Sequence, residues 1–453
     1  MASLGCARRS TLAGTNGGGA DVAGRVNGIA LWAQRLATLR PVFTATGWAI
    51  FSALMTGWAI CPGRKTITGM YRFADPGGER AHDAFHRFVR CGAWTIAALW
   101  KTLALALVAS HAAQGRIDID LDDTLFHKSG RKMDGTGWWR DAVRSTGKRV
   151  VVALGLNLLV VTLRIRPPWG GEPLGLPILV LLHRKGGTKL TDLACQALDT
   201  VATWFPKRCI RCCADGAFAS CLIPKGNHRI TVISRIRRDA ALFKRKPKAT
   251  GKRGRPRLRG ARLGTPTQIG AKVKRWSTVT TDQRGQPKAR KVYAQTVLWY
   301  AVTKVPVLLV ISRDPTGHEH DDYWVCSDTG LAPAEVVSAY TGRWSIEDTF
   351  RAAKQTIGAQ QPQSWAGHAP ERAAMLGLLL YSLIWWWFLG LNREQQAVSA
   401  PPWYAAKATP SFLDAIAALR TAIWRNRIFA GSDRASISPK MTQALLDALA
   451  RAA

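Results

Sequence analysis

The chain has 453 residues, 47% of them hydrophobic and 19 of them Trp, which suffices for a large packed core and excludes a disordered protein. Sixty-four Lys and Arg stand against 29 Asp and Glu, and the resulting formal charge of +35 repels itself unless a polyanion is bound. Nucleic acid is therefore the first expected partner and an anionic membrane surface the second.

Residues 1–28 are rich in Gly, Ala, Ser and Thr and predict a loose terminus. Over 29–110, Trp, Phe and Leu recur at spacings of three and four around Trp32, Leu36 and Phe43, and again around Phe85, Phe88, Trp94 and Leu99. That period predicts a helical N-terminal domain, and its scattered cations, Arg64, Lys65, Arg72, Arg87 and Arg90 among them, suit DNA binding. The period then switches. Arg116 to Asp122 alternates apolar and acidic residues, which predicts a strand with Asp118, Asp120 and Asp122 on one face, ending at Asp122-Asp123-Thr124. Further strands are expected over Val150 to Ile165, Leu176 to Leu182 and Arg208 to Ala214, with a helix over Leu190 to Phe205. Strands interleaved with helices in this way indicate a mixed α/β (α+β) fold.

Asp215 closes the strand that starts at Arg208. Beyond a further strand at His228 to Arg235, residues 235–262 hold thirteen Lys or Arg and a single acid, Asp239. Arg253 and Arg255 lie there in a Lys-Arg-Gly-Arg-Pro-Arg run that fits either a narrow minor groove or plain phosphate contact. Strand patterns return at Lys291 to Val302, Val305 to Ile311 and Tyr323 to Ser327, and one continuous helix is expected over about 333–357. On that helix Tyr340, Arg343, Glu347, Arg351 and Lys354 share one face, either as a solvated salt-bridge stripe or as a site.

Two uncharged stretches, Phe43 to Cys61 and Ala373 to Leu391, have membrane-like hydropathy. The second is flanked by Arg372 and Arg393, and burial on all sides in a large core is the preferred account for it, within a helical C-terminal region over 371–453. Nine cysteines, an odd count, with no apparent secretory signal, point to a reduced intracellular protein. Cys209, Cys212, Cys213 and Cys221 suggest zinc by their spacing, but no second Cys/His pair follows at finger spacing and core thiols are the simpler reading. The run Gly317 to Asp322, with two His and three acids, falls in an expected loop.

Asp122 and Asp215 at strand ends and Glu347 on a helix are three carboxylates that such a fold can bring together. A cluster of hard oxygen ligands holds Mg²⁺ or Mn²⁺, and two such ions serve phosphodiester displacement. Arg, Lys and Tyr around them would hold phosphates. The residues alone therefore predict a metal-dependent nuclease or strand transferase.

The sequence also resembles the DDE transposases of bacterial insertion sequences, in the cut-and-paste group marked by a Tyr-x2-Arg-x3-Glu-x6-Lys signature. Tyr340, Arg343, Glu347 and Lys354 match that spacing, while Asp122-Asp123-Thr124 and Ala214-Asp215-Gly-Ala-Phe218 are similar to the two aspartate blocks. The resemblance covers roughly 115–360. It implies an RNase H-like catalytic domain at 111–370 with a basic β-rich insertion at about 216–327, and a triad of Asp122, Asp215 and Glu347 binding two Mg²⁺ ions. It further implies that Tyr340, Arg343 and Lys354 contact the end DNA, that the reaction passes through nicking, an end hairpin and strand transfer, and that an insertion Trp can stack on a flipped base; Trp324 is the candidate, with a core position as the alternative in a chain of 19 Trp. Strand alternation favours Asp122 over Asp123 as the first ligand. The expected partners are transposon-end and target DNA and a second copy of the chain in a synaptic complex. The expected setting is the bacterial cytoplasm at the nucleoid, with neither a membrane nor a nucleotide cofactor. The rivals are a catalytically inactive DNA-binding relative and a membrane-associated basic protein using residues 373–391.

Overall fold

A computed structural model describes residues 26–247, 257–396, 398, 400, 404–429 and 439–451. Five helices open the described chain: α1 (Gly28–Ala37), α2 (Ala45–Ile60), α3 (Ile67–Ala74), α4 (His82–Cys91) and α5 (Ile96–His111). Thr44, Thr66 and Thr95 start α2, α3 and α5 by accepting a bond from the Gly47, Gly69 and Ala98 amides, each satisfying an otherwise orphaned donor. Helix α2 is apolar nearly all round and accordingly buried, with Phe51, Leu54, Met55 and Trp58 at 1% exposure or less. Gly57 lets α3 approach, because a Cβ there would stand 2.4 Å from the Ala74 amide nitrogen.

The middle of the chain is built on one sheet. It begins with β1 (Ile117–His127), β2 (Gly137–Arg140), β3 (Val152–Ile165) and β4 (Leu174–His183), then α6 (Leu190–Trp204), β5 (Ile210–Ala214), the short α7 (Ala219–Leu222) and β6 (Ile230–Arg235). Strands β3 and β4 run antiparallel in sequence beside β1, while β5 and β6 lie parallel on its other side. The order β4-β3-β1-β5-β6 is that of an RNase H-like core. Pro177 is tolerated in β4 because that strand pairs only with β3.

Next come β7 (Leu242–Phe243), β8 (Arg262–Gly264), α8 (Pro266–Lys272), β9 (Ser277–Gln283), β10 (Gln286–Val297), β11 (Val307–Arg313) and β12 (Asp322–Cys326). Strand β12 pairs antiparallel with β6, and β11, β10 and β9 follow outward, giving a sheet of ten strands. The β-rich segment thus extends the core sheet. The strand at its expected start, β6, belongs to the parallel half.

The chain closes with α9 (Pro333–Thr341), α10 (Ser345–Gln355), α11 (Ala369–Leu389), α12 (Phe412–Phe429) and α13 (Pro439–Arg451). Helix α11 is the one described helix long and apolar enough to cross a membrane, and 94% of that apolar window is buried inside the protein. It packs against β4, α1, α4 and α12. That packing satisfies several of its polar side chains: Ser382 donates to Pro177 O at 2.9 Å, Trp387 to Gly28 O at 2.7 Å and Arg372 to Trp94 O at 2.6 Å. The core of the N-terminal helices is continuous with that of α11, α12 and the sheet.

Candidate active site

Strand β1 alternates as its sequence requires. Ile117, Ile119 and Leu121 are wholly buried on one face, while Asp118, Asp120 and Asp122 project from the other, toward α9 and α10. The strand does not stop at Asp122. It continues five residues to His127, because Thr124, Leu125 and Phe126 keep pairing with β3.

The three acids of that row do different work. Asp118 pairs with Arg211 at 2.6 Å and Arg116 at 3.1 Å. Asp120 is fully buried, paired with Arg164 and bonded by the Ser345 hydroxyl at 3.3 Å. Burial pushes the Arg164 guanidinium down, and the charge of Asp120 more than reverses this. Asp122 accepts from Arg343 at 2.7 Å, and the other arm of the same guanidinium donates to Glu347 at 3.1 Å. One cation thus ties the middle of β1 to α10.

Asp215 reaches the same place by register. Leu121 pairs with Ala214, so Asp215 is the next residue beyond the end of β5, beside Asp122. Its carboxylate also starts the tight turn Gly216–Phe218. Burial pushes the Asp122 carboxyl up to about 7; Arg343 opposes the rise, and the neighbouring Asp123 and Asp215 charges add to it. Burial likewise raises Glu347 against the pull of Arg343, and raises Asp123, which Asn157 partly offsets and Asp215 augments. Arg343 is 5% exposed; burial pushes it down, and Asp122, Tyr340 and Glu347 carry it above its ordinary value.

The expected single helix over 333–357 is broken. Gly342–Trp344 forms a 3-10 turn between α9 and α10, where the tip of Arg164 passes so close that a Cβ on Gly342 would stand 2.9 Å from its Nη1. The charged face is split accordingly. Tyr340 is 4% exposed and lies in a core cluster, its ring 6.0 Å from Trp324 and 5.5 Å from the Arg343 guanidinium. Burial pushes its phenol up. Lys354 is lowered by burial and feels Asp141 and Asp123, so it sits on the Asp123 side of the site. Arg351 is exposed and pairs with Asp348, outside the cluster.

Trp324 requires a correction. A ring that stacks on a base needs a free face, whereas Trp324 is 2% exposed, on β12 between Val310 and Tyr340. The alternation of β12 turns it into the second core. Arg253 and Arg255 lie outside the described residues. Cys212 and Cys213 fall in separate core clusters on opposite faces of β5, so they do not converge on one ion. In the Gly317 to Asp322 run the acids are taken by cations: Glu319 by Lys288, Asp321 by Arg313 and Asp322 by Arg235.

Two residues of the site, Asn157 and Arg284, carry no motif in the sequence. Asn157 is a polar side chain amid the apolar residues 150–161, a readable signal, and it bonds toward Asp123. Arg284 sits at the β9–β10 turn with φ of 56°, its guanidinium 4.2 Å from the Trp344 ring and close enough to lower Glu347. Only long-range pairing puts it there.

Among the described residues no group of three His, Cys, Asp or Glu side chains is drawn together tightly enough to hold a metal as it stands. The donor set nevertheless suits one: carboxylate oxygens are hard ligands, and the rise of Asp122 reflects burial together with negative charges that a divalent cation would neutralise.

Residues 38–169 match the family model described as DDE superfamily endonuclease. The matched stretch runs from the N-terminal helices through β1 and β3, so it contains Asp122 and stops before Asp215 and Glu347. No curated protein matches the chain. That match makes residues 38–169 similar to DDE superfamily endonucleases, and the sheet order around β1 is in keeping with an RNase H-like core.

Proposed function

We propose that the protein is an insertion-sequence transposase that cuts and joins the ends of its element, with Asp122, Asp215 and Glu347 as the metal-holding triad. The observation that carries this reading is the convergence on Arg343: one guanidinium bonds Asp122 from β1 and Glu347 from α10, with Asp215 at the adjacent register position of β5. Bound Mg²⁺ or Mn²⁺, two ions in the proposed form, supplies activation of the attacking oxygen and neutralisation of the leaving one. The chain's own residues position the DNA. Arg343 and Lys354 are the phosphate-binding cations, and Tyr340 acts as a positioning residue whose ring backs Arg343.

In the proposed sequence, water first opens one strand at the element's end and frees a 3′ hydroxyl. That hydroxyl attacks the opposite strand's phosphodiester, forming one P–O bond as another breaks, and leaves a hairpin on the end. Hydrolysis reopens the hairpin, and the regenerated 3′ hydroxyl attacks target DNA. Joining two ends calls for two copies of the chain.

The test uses the DNA that flanks the chain's own gene, which in this reading carries imperfect inverted repeats. Asp215→Ala and Glu347→Gln abolish Mg²⁺-dependent cleavage and joining of that DNA while binding is retained. Cleavage surviving in either variant removes that carboxylate from the triad. Wild-type binding without cleavage in Mg²⁺ or Mn²⁺ makes the chain an inactive relative.

A further inference from the structure

Between β1 and β3 the chain makes an excursion, residues 128–151, that neither the core sheet nor the triad requires. It leaves β1 just past His127, forms β2 and returns into β3, with Gly137 paired to Gly155 and Trp138 to Leu154. Its base is fixed. Lys128 donates to Gln360 O and Pro362 O at 2.8 and 2.9 Å, and Asp134 N donates to Trp365 O at 3.0 Å.

The loop beyond β2 is also built. Asp141 is 3% exposed and accepts from the Val143 and Arg144 amides, each at 3.1 Å, and from His127 at 2.9 Å. The Ser145 side chain closes the loop by bonding both the amide and the carbonyl of Val151.

This ordered excursion presents what a folded protein ordinarily hides. Val143 is 91% exposed, Val150 66%, and Trp138 and Val152 55% each. Beside them Arg131, Lys132, Arg140, Lys148 and Arg149 are exposed, and no ion pair is formed by any of these five among the described residues. Apolar tips among unpaired cations suit a polyanion that also offers apolar surface, which is the character of a DNA groove.

His127 is four residues along β1 from Asp123, and two further strand spacings separate β1 from β2, which places Trp138 roughly 15–20 Å from the carboxylates. At 3.4 Å per base step that is about five base pairs.

We propose that the β2–β3 excursion is a DNA-gripping element that engages duplex about five base pairs from the cleaved phosphate. Arg140, Lys148 and Arg149 hold the backbone, while Trp138 and Val143 press into the groove. The proposal rests on the DNA-processing reading above and adds to it a surface outside the triad.

The full-length chain is tested by fluorescence anisotropy on a labelled random-sequence duplex of about 30 base pairs, at salt from about 50 to about 200 mM. Losing three phosphate contacts in R140A/K148A/R149A makes the slope of log affinity against log salt shallower by about 3. The control K101A/K207A leaves that slope unchanged; Lys207 lies at the other end of the sheet, next to Arg208, which bonds Gly115 ahead of β1. W138A/V143S weakens binding about tenfold at every salt with the slope kept. All three variants replace exposed side chains and melt with the wild type. A slope unchanged in the triple variant, or an equal loss per charge in the control, overturns the proposal and leaves the triad standing. A wild-type chain that does not bind the duplex at all overturns the DNA-processing reading and this surface with it.

Discussion

Arg343 is the residue on which the site turns, because its single guanidinium neutralises two of the three acids assigned to metal binding. In the free protein it occupies electrostatically the place a cation would take. Arg343→Ala is therefore expected to tighten Mn²⁺ binding to the DNA-free protein by about tenfold, since roughly 1.4 kcal/mol of charge repulsion at the site disappears. Isothermal titration checks this, and weaker Mn²⁺ binding in the variant would mean that Arg343 organises the carboxylates more than it screens them. Asp122 supplies the pH test. Its folded carboxyl is raised to about 7, against about 3.9 in an unfolded chain, so between those values the folded state holds the extra proton. Stability from this group therefore falls as pH rises through that window and is lowest above about 7. Asp122→Asn removes the dependence: in metal-free buffer the melting temperature of the variant, relative to wild type, climbs between pH 5 and pH 8. A difference that stays flat, or falls, would show that Asp122 is ionised throughout.

At the scale of elements, the break between α9 and α10 decides where Tyr340, Arg343 and Glu347 point. Helix propensity alone says that Gly342→Ala stabilises a continuous helix by about 1 kcal/mol. The packing says the reverse, because the methyl meets Arg164, whose tip is pinned by Asp120 and by Ala339 O at 2.6 Å. The expected result is a loss of about 1–3 kcal/mol, read by urea denaturation, and a stabilised variant would show that the turn is dispensable. The same contact explains why the helix reads as continuous in the sequence: nothing within 333–357 announces an arginine arriving from β3. What is carried by local period is legible. The alternation of β1, the long apolar run of α11 and the strand before Asp215 are examples. What depends on distant pairing is not. The acids of β1 look alike in sequence, yet Asp118 and Asp120 are structural ion pairs while Asp122 faces the site. Trp324 looks available for stacking until β12 is placed between β6 and β11. Of the two antiparallel partners of β10, β9 is the polar one, and its pairing becomes evident only through the hairpin at Arg284-Gly285.

For the whole molecule the governing quantity is charge. In the proposed function the substrate is a polyanion, so a chain of +35 is suited to the bound state and under strain in the free one. The buried pairs, Asp120 with Arg164 and Asp122 with Arg343, are shielded from solvent and respond little to salt. The repulsion among surface cations such as Arg131, Lys132 and Arg149 is fully screened by it. Added salt should accordingly stabilise the free protein, the opposite of what a surface held by exposed ion pairs would show. Raising KCl from about 50 to about 500 mM, where the Debye length falls from above 10 Å to about 4 Å, is expected to raise the melting temperature by several degrees. Heparin at low salt should raise it further, since it binds the folded cationic surface as a continuous polyanion. A melting temperature that falls with salt would place the net stabilisation in exposed pairs such as Arg116 with Glu335, and the excess charge would then have to be dispersed so evenly that no face of the protein concentrates it.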